Sequence, residues 1–195
     1  NLPEALTVIG YEAFEDCINL GTIVFPESLI EINAHAFDSC KSLTSIKLPS
    51  NLQTLKYGAF YNCTNLQSVW IPKTITNETS YSFTGTSNYY YGPFNGCGKL
   101  KSVTFADGIT YIPSGLFAGC TGIESIEIPD TVTSINTYAF YSSSIQSVKV
   151  GSGLTTICGA AFKDCKSLNE INLPEALTVI GYEAFEDCTD LGAIE

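Results

Sequence analysis

The chain of 195 residues contains no methionine, one histidine and one tryptophan, and its 9 lysines and arginines face 20 aspartates and glutamates. The formal net charge of −11 argues against a nucleic-acid-binding groove, because an acidic protein repels phosphate backbones. No apolar run reaches the roughly 18–20 residues of a membrane-spanning helix, so we expect no membrane insertion in this segment. With His35 as the sole histidine, histidine-based metal or acid–base chemistry has little room.

The missing methionine also bears on where the chain comes from. Because the sequence begins at Asn1 without any methionine, we expect it to be a piece of a longer protein. An export signal or an anchor would then lie outside it. Hydrophobic residues make up 45% of the chain and charged residues 15%, which is typical of an ordered, packed protein.

A repeat of about 23 residues organises the whole sequence. Eight phenylalanines, most of them preceded by alanine, follow one another at spacings of 23, 23, 34, 23, 23, 22 and 23 residues: Phe14, Phe37, Phe60, Phe94, Phe117, Phe140, Phe162 and Phe185. A cysteine lies three residues after seven of them: Cys17, Cys40, Cys63, Cys97, Cys120, Cys165 and Cys188. A period in this range, with an L-x-x-I-x-L pattern in each unit, predicts a leucine-rich-repeat solenoid.

The residues of one unit indicate how a coil is built. In the segment 43–49 (LTSIKLP), apolar and polar residues alternate as in a strand with one buried face, and Pro49 ends the strand. Leu52 and Leu55 predict a second, shorter strand on the return path, and 57–63 a helical or 3₁₀ turn. We therefore predict a single domain over 1–195, with about eight coils of 23 residues. A parallel β-sheet would form its concave face, with short strands and helical or 3₁₀ turns on the return side.

The unit L-x-x-I-x-L-P-x-x-L-x-x-I-x-x-x-A-F-x-x-C resembles the BspA-like class of bacterial leucine-rich repeats over essentially the whole chain. Members of this class are mostly exported or cell-surface proteins, and some are adhesins that bind host proteins. The resemblance therefore implies an extracellular or cell-surface location. It supplies no catalytic residues and no cofactor.

The two ends of the chain carry the same sequence, since residues 1–17 and 172–188 both read NLPEALTVIGYEAFEDC. A recent duplication, a longer natural array and an engineered chain would each explain this identity. Both ends lie within repeats, so we expect the terminal coils to expose apolar core. End-to-end self-association through these terminal repeats is a corresponding expectation.

The seven in-phase cysteines are interpreted as a ladder of free, buried thiols. Disulfides are the first alternative, but parallel side chains reach the required S–S geometry poorly and an odd number leaves one unpaired. A metal site is the second alternative. Cys158 lies outside the ladder and is interpreted as structural.

A binding surface is predicted on the outward face of the strands. Two columns of outward residues are expected there: Thr22, Ser45, Ser68, Ser102, Ser125, Ser147 and Glu170 in one, and Val24, Lys47, Trp70, Thr104, Glu127, Lys149 and Asn172 in the other. A merely solvated sheet face would also explain these columns. Trp70 favours a recognition surface, because an outward tryptophan is costly unless something covers it.

An insertion of eleven residues within about 77–91 follows the strand of Trp70 and ends in Tyr89, Tyr90 and Tyr91. Insertions in repeat proteins often lie on the binding face, although a neutral loop would tolerate the same length. We predict that these tyrosines and Trp70 form one aromatic patch, with Ser68, Lys47, Thr104 and Glu127 as further contacts.

These features predict a non-enzymatic module of an exported or cell-surface protein that binds or adheres to proteins of a host or a neighbouring cell. A carbohydrate-binding module is the alternative, since an exposed tryptophan beside hydroxyl residues can stack on sugar rings. Structural spacer repeats are a third reading. No nucleophile elbow, phosphate loop or zinc-ligand spacing occurs in the sequence, so we expect no enzyme activity.

Overall fold

The computed structural model describes residues 2–76 and 92–192, which form a parallel β-solenoid with coils stacked in register. Each coil contributes up to two strands, which we call the front strand and the return strand. The front strands are β3 (Ser45–Lys47), β5 (Ser68–Ile71), β6 (Ser102–Phe105), β8 (Ser125–Ile128), β10 (Ser147–Val150) and β12 (Glu170–Asn172). The return strands are β1 (Val8–Ile9), β2 (Glu31–Ile32), β4 (Thr54–Leu55), β7 (Tyr111–Ile112), β9 (Ser134–Ile135), β11 (Thr156–Ile157) and β13 (Val179–Ile180).

Each strand pairs in parallel with the strand one coil away, so residues of equal repeat position become neighbours. Ser45 lies beside Ser68, and Ser68 beside Ser102. On the return side, Ile135 lies between Ile112 and Ile157. Side chains alternate between the two faces of a strand, and the apolar set is directed inward throughout. The predicted parallel solenoid is confirmed.

The core is a column of stacked phenylalanine rings along the solenoid axis. The Phe14 and Phe37 ring centroids are 5.0 Å apart with an interplanar angle of 3°, and the Phe140–Phe162 pair repeats this geometry at 5.1 Å and 2°. The eight rings delimit about seven turns of roughly 23 residues. The prediction of eight full coils is therefore not confirmed, because eight markers bound only seven complete intervals.

The segments around these phenylalanines are tight turns, and no helix occurs in the described residues 2–76 and 92–192. The predicted helical or 3₁₀ turn is thus not confirmed, whereas the short return strands are. Positive φ angles recur two residues before and two residues after the phenylalanines, as at Glu12 (54°) and Asp16 (55°) around Phe14. A helix needs negative φ at every residue, so the two left-handed residues, four positions apart in one turn, prevent a helix there.

The turns add a third set of coil-to-coil hydrogen bonds, which we call the turn ladder. The amide of Phe14 donates to the carbonyl of Ala36 at 2.8 Å, and that of Phe162 to Ala184 at 2.9 Å. The amides between these donors instead donate to carbonyls of their own turn, as the amide of Glu15 does to the carbonyl of Glu12 at 3.1 Å. The ladder continues past the insertion, because the amide of Phe60 donates to Pro93 at 2.8 Å. The turn ladder and the phenylalanine column therefore connect the coils on the two sides of segment 77–91.

The stacking is irregular where the coil of Phe94 meets the coil of Phe117. The front strands on either side, β6 and β8, belong to separate three-stranded sheets, β3-β5-β6 and β8-β10-β12. The Phe94 and Phe117 rings are 6.1 Å apart and inclined at 23°. We call this place the junction. It divides the front face into two sheets that are each regular.

The turn ladder changes register at the junction. In a regular turn, the residue two positions before a phenylalanine donates its amide to a carbonyl of the next coil. The acceptor is the residue three positions before the next phenylalanine, as when Glu12 donates to Ala34. The amide of Gly92 donates instead to Ala118, which follows Phe117. A Cβ atom at Gly92 would lie 2.3 Å from the carbonyl oxygen of Gly115, so only glycine allows the two turns to approach this closely.

The first predicted front strand is also absent. Residues 22–24 have no strand structure, and Val24 is 75% exposed. In the described part of the chain no backbone hydrogen bond joins this segment to β3. The two predicted outward columns therefore begin at Ser45 and Lys47.

Candidate recognition site on the front sheets

The front face presents two columns of polar side chains, placed by strand register. The first three front strands align Lys47, Trp70 and Thr104, and the last three align Glu127, Lys149 and Asn172. A neighbouring column holds the residues two positions earlier, which are mostly serines: Ser45, Ser68, Ser102, Ser125, Ser147 and Glu170. The inward residues between them are buried in five of the six strands.

Trp70 lies in the middle of the first sheet and is half-buried. The ammonium nitrogen of Lys47 lies 5.5 Å from the centroid of its ring. This cation–π contact holds the indole between its strand neighbours and leaves part of its face accessible. Lys47 and Thr104 are exposed on either side, and Ser68 is half-buried on the same strand. Four predicted site residues therefore lie together on one sheet.

Glu127 lies on the other sheet, across the junction from Thr104. Its carboxylate accepts a hydrogen bond from Lys149 at 2.7 Å, and the two side chains are 71% and 72% exposed. The hydrogen bond and the charge of Glu127 raise the pKa of Lys149. Because β6 and β8 are not paired, the predicted grouping of Glu127 with Trp70 is not a strand-to-strand contact.

The second sheet carries a shallow depression of about 500 Å³. Its polar lining is Ser125, Glu127, Ser147, Lys149, Glu170 and Asn172. Of these, Glu127 is a predicted site residue, and the others belong to the predicted outward columns. The sequence therefore predicts that these residues lie on the front face, but no aromatic residue among them indicates a binding site.

At the junction the front face exposes part of the core. Val103 and Phe105, the inward residues of β6, are half-buried, whereas Val69 and Ile71 on β5 are 2% and 0% exposed. An ion pair of 2.9 Å between Lys101 and Glu124 spans the junction at the start of the strands. The repeat pattern gave no sign of this opening, since Val103 and Phe105 match the inward positions of every other coil.

Tyr89, Tyr90 and Tyr91 lie outside the described residues, as does the rest of the segment 77–91. The residues that flank this segment belong to the return side. The amide of Thr76 donates to Gln53 at 3.0 Å, and the hydroxyl of Tyr111 donates to the carbonyl of Ile75 at 2.9 Å. The hypothesis of a joint aromatic patch with Trp70 stays a prediction.

The eight cysteines are all free thiols. Five of the seven in-phase thiols share one contact, a hydrogen bond of 2.9–3.2 Å to the carbonyl of the phenylalanine one coil earlier: Cys40, Cys63, Cys97, Cys165 and Cys188. Burial raises the pKa of Cys40 and Cys165 to about 12, so these thiols stay protonated near neutral pH. Ser143 takes this position in the coil without a cysteine, with its hydroxyl 3.4 Å from the sulfur of Cys165.

His35 lies on a turn rather than on the front face. Its Nδ1 atom is 2.9 Å from a carboxylate oxygen of Asp38, and its ring packs edge-on against Tyr57 at 5.5 Å. Ser39 donates to the other oxygen of Asp38. This group fixes the turn. Within 2–76 and 92–192, no three His, Cys, Asp or Glu side chains are grouped so that they could hold a metal ion. No helix within the same ranges is long and apolar enough to cross a bilayer.

The geometry defines a repeat-built solenoid with exposed polar sheets on one side and stacked tight turns on the other. The sequence pattern described as "BspA type Leucine rich repeat region" matches residues 1–91 and 87–195, in six copies. The chain therefore belongs to the BspA-type leucine-rich repeat family, as the sequence resemblance predicts. Comparison with curated protein sequences finds no match.

Several solved structures share the fold. A leucine-rich repeat protein from Bacteroides ovatus is 25% identical, with a TM-score of 0.51, over 98% of this chain and 58% of that one. A second, from Eubacterium ventriosum, is 26% identical, with a TM-score of 0.60, over 83% of this chain and 41% of that one. A leucine rich cell surface protein from Faecalibacterium prausnitzii is 24% identical, with a TM-score of 0.51, over 87% of this chain and 58% of that one. The chain thus spans about half the length of these proteins.

Proposed function

We propose that this chain is a non-enzymatic protein-binding module and that the front sheet around Trp70 is its recognition surface. The observation that carries the proposal is the half-buried indole held by Lys47 on an otherwise polar sheet. Tryptophan is enriched among the residues that dominate binding energy at interfaces. A residue already fixed by its neighbours loses little conformational freedom on binding. The repeat fold of the family is consistent with this role.

We further propose that the partner is an extracellular protein of a host or a neighbouring cell, and that the parent protein is displayed at the cell surface, where it mediates adhesion. One structural neighbour, from Faecalibacterium prausnitzii, is itself described as a cell surface protein. The net charge of −11 favours a partner with a basic contact surface, because complementary charge accelerates association. Lys47, on the edge strand β3, supplies a positive charge beside Trp70, where an acidic group of the partner would pair with it.

The experiment is a binding screen of the 195-residue chain against a panel of extracellular proteins, followed by titration with Trp70→Ala. We expect this variant to weaken binding by ~2 kcal/mol, which is about 30-fold in Kd. The matched control is Tyr57→Ala, which removes a half-buried aromatic ring from the turn side. Equal affinity of wild type and Trp70→Ala for the partner would show that Trp70 is not part of the binding site.

Carbohydrate binding is the second candidate, because Trp70 has the hydroxyl residues Ser68 and Thr104 beside it. An indole face flanked by hydroxyl groups suits stacking on a sugar ring. A glycan array run in parallel with the protein panel separates the two candidates. Binding on neither array would favour spacer repeats and contradict the proposed recognition surface.

A further inference from the structure

The front face of the solenoid is interrupted in its middle, where the junction separates β6 from β8. Nearly all pairs of Cα atoms between these two strands are more than 8 Å apart. Paired strands lie about 4.8 Å apart, so one further strand between β6 and β8 needs a gap of about 9–10 Å. We call the space between Ser102–Phe105 and Ser125–Ile128 the cleft. It lies between two interior coils, whose turns stay in contact at Gly92 and Gly115.

The wall formed by β6 presents backbone groups to the cleft. In a strand, the N–H and C=O of one residue point to the same side, and those of the next residue point to the opposite side. The amide of Ser102 donates to the carbonyl of Gln67, in the coil of β5. The amides and carbonyls of Val103 and Phe105 therefore point into the cleft.

The wall formed by β8 presents the same kind of groups. The amide of Ser147 donates to Glu124 in the preceding coil, and Ser125 lies beside Ser147 in the register. The amides and carbonyls of Ser125 and Glu127 therefore point toward β6. In residues 2–76 and 92–192, no backbone hydrogen bond joins β6 to β8 across the cleft. An occupant with main-chain donors and acceptors at strand spacing would pair with both walls.

The inward side chains of β6 are not fully covered. Val103 and Phe105 are half-buried, whereas Val148 and Val150, at the same repeat positions in β10, are 2% and 5% exposed. The two strands differ in their neighbours, because β10 has a paired strand on both sides and β6 on one side only. On β8 the inward residues are already buried. A strand in the cleft would cover the apolar side chains of β6 with its own inward side chains.

These properties specify an extended segment as the occupant. The solenoid itself shows the required pairing, since β10 pairs in parallel with β8 on one side and with β12 on the other. A helix uses its main-chain groups internally and could not pair with the walls. Lys101 and Glu124 close the cleft at the start of the strands with an ion pair of 2.9 Å. Because β6 and β8 have 4 residues each, the occupant needs a short extended stretch without proline and with apolar residues at alternate positions.

We propose that the cleft binds an extended segment of a partner protein as an added β-strand, with main-chain hydrogen bonds to β6 and β8. The segment joins the two three-stranded sheets into one continuous front sheet. The main-chain hydrogen bonds provide affinity, and the contact of alternate apolar side chains with Val103 and Phe105 provides specificity. This inference goes beyond the recognition surface around Trp70 and does not depend on it.

The probe is a capped synthetic peptide with the sequence of residues 145–151 (IQSVKVG), which contains β10, a strand that pairs on both sides in the solenoid. The peptide is titrated into the full chain, and the exchange of backbone amides is followed by NMR. We expect Val103, Phe105 and Ser125 to exchange about tenfold more slowly with bound peptide. The same peptide N-methylated at Val148 and Lys149 lacks one donor toward each wall, so it should bind about tenfold more weakly or less.

A pair of variants tests the wall of the cleft itself. Ser125→Pro removes an amide that has no backbone partner in the described residues, at the first residue of a strand, where proline is tolerated. We expect about fivefold weaker peptide binding for this variant. The matched control is Ser125→Ala, which keeps the amide and should bind the peptide as wild type does. Circular dichroism checks that both variants are folded.

Four results would overturn the proposal: the unmodified peptide does not bind, it protects only the outer edges of β3 or β12, the N-methylated peptide binds equally well, or Ser125→Ala loses as much affinity as a folded Ser125→Pro. Wild-type affinity of Ser125→Pro would overturn it as well. Should Ser125→Pro unfold, the comparison of the two peptides on the wild-type chain decides alone.

Discussion

The regular coils and the junction are built from the same repeat unit, yet they stack differently. In the regular coils, phenylalanine rings lie nearly parallel, at 1–8°, and the turn ladder connects each coil to the next. Around Phe117 the rings are inclined at 23° and 25° to their neighbours. The front strands β6 and β8 are unpaired there. A repeat sequence therefore specifies what each coil contains more strictly than how adjacent coils contact each other.

The hydrogen-bond partners of the in-phase cysteines also differ between the regular coils and the junction. In the regular coils the thiol donates to a phenylalanine carbonyl one coil earlier, as Cys63 does to Phe37 at 3.2 Å. At the junction Cys120 instead has the backbone amides of Gly122 and Ile123 as partners. Burial raises its pKa to about 11, and these two amides oppose that rise because they stabilise the thiolate. The change of partner follows the change of register between the two coils.

The largest expected effect is on the free energy of unfolding, when a phenylalanine of a regular coil or the phenylalanine at the junction is replaced by alanine. Phe37→Ala should destabilise the fold by about 3–5 kcal/mol, because Phe37 is fully buried and stacks closely on Phe14 and Phe60. Phe117→Ala should cost about 1 kcal/mol less, since its inclined contacts carry less of the aromatic pair energy. Chemical denaturation of both variants measures the difference. Equal losses would show that the inclination has no energetic consequence.

The sequence predicted the contents of the coils well because each inward position recurs with the period. Phe60, Cys63 and Leu66 are fully buried as their columns require, and Ser45, Ser68 and Ser102 align as predicted. The turn conformation was mispredicted because Glu12 and His35 adopt positive φ without being glycine. A signal did exist: Gly58, Gly115 and Gly119 occupy the same two turn positions in other coils.

The junction could not be read from the sequence, because it depends on contacts between coils and not on the contents of one. Val103 and Phe105 fit the inward pattern and are nevertheless half-buried. The close approach of Gly92 to Gly115 is a tertiary contact, and a lone glycine is common in turns. The column of Trp70 was predictable, whereas its separation from Glu127 by the junction was not.

Hydrogen exchange should resolve the junction at the level of single amides. The amides of Gln146 and Ser147 donate to the carbonyl of Glu124 at 2.8 and 3.1 Å. The corresponding amides of Glu124 and Ser125 face the junction, and within the described residues no backbone bond joins them to the coil before. We expect Glu124 and Ser125 to exchange about tenfold faster or more, as measured by NMR. Equal protection would mean that β6 and β8 pair in solution.

The smallest expected effect compares two glutamates in the identical end segments. The hydrogen bond from Lys163 lowers the pKa of Glu183, whereas partial desolvation and the nearby Glu12 and Asp38 carboxylates raise the pKa of Glu15. A lowered pKa in the folded state contributes stability that is present at neutral pH and lost as pH falls through the carboxylate range. A raised pKa has the opposite sign, so ionised Glu15 disfavours the fold at neutral pH.

Glutamine substitution therefore has opposite consequences at the two positions, although both side chains lie at the surface. At about pH 7, Glu183→Gln should lower Tm slightly and Glu15→Gln should raise it slightly. At about pH 3, where carboxyl groups are mostly protonated, both variants should approach wild type because glutamine resembles the neutral acid in shape and polarity. Thermal unfolding at the two pH values measures the shifts. Shifts of the same sign at neutral pH would contradict the assignment of Lys163 as the partner that lowers the pKa of Glu183.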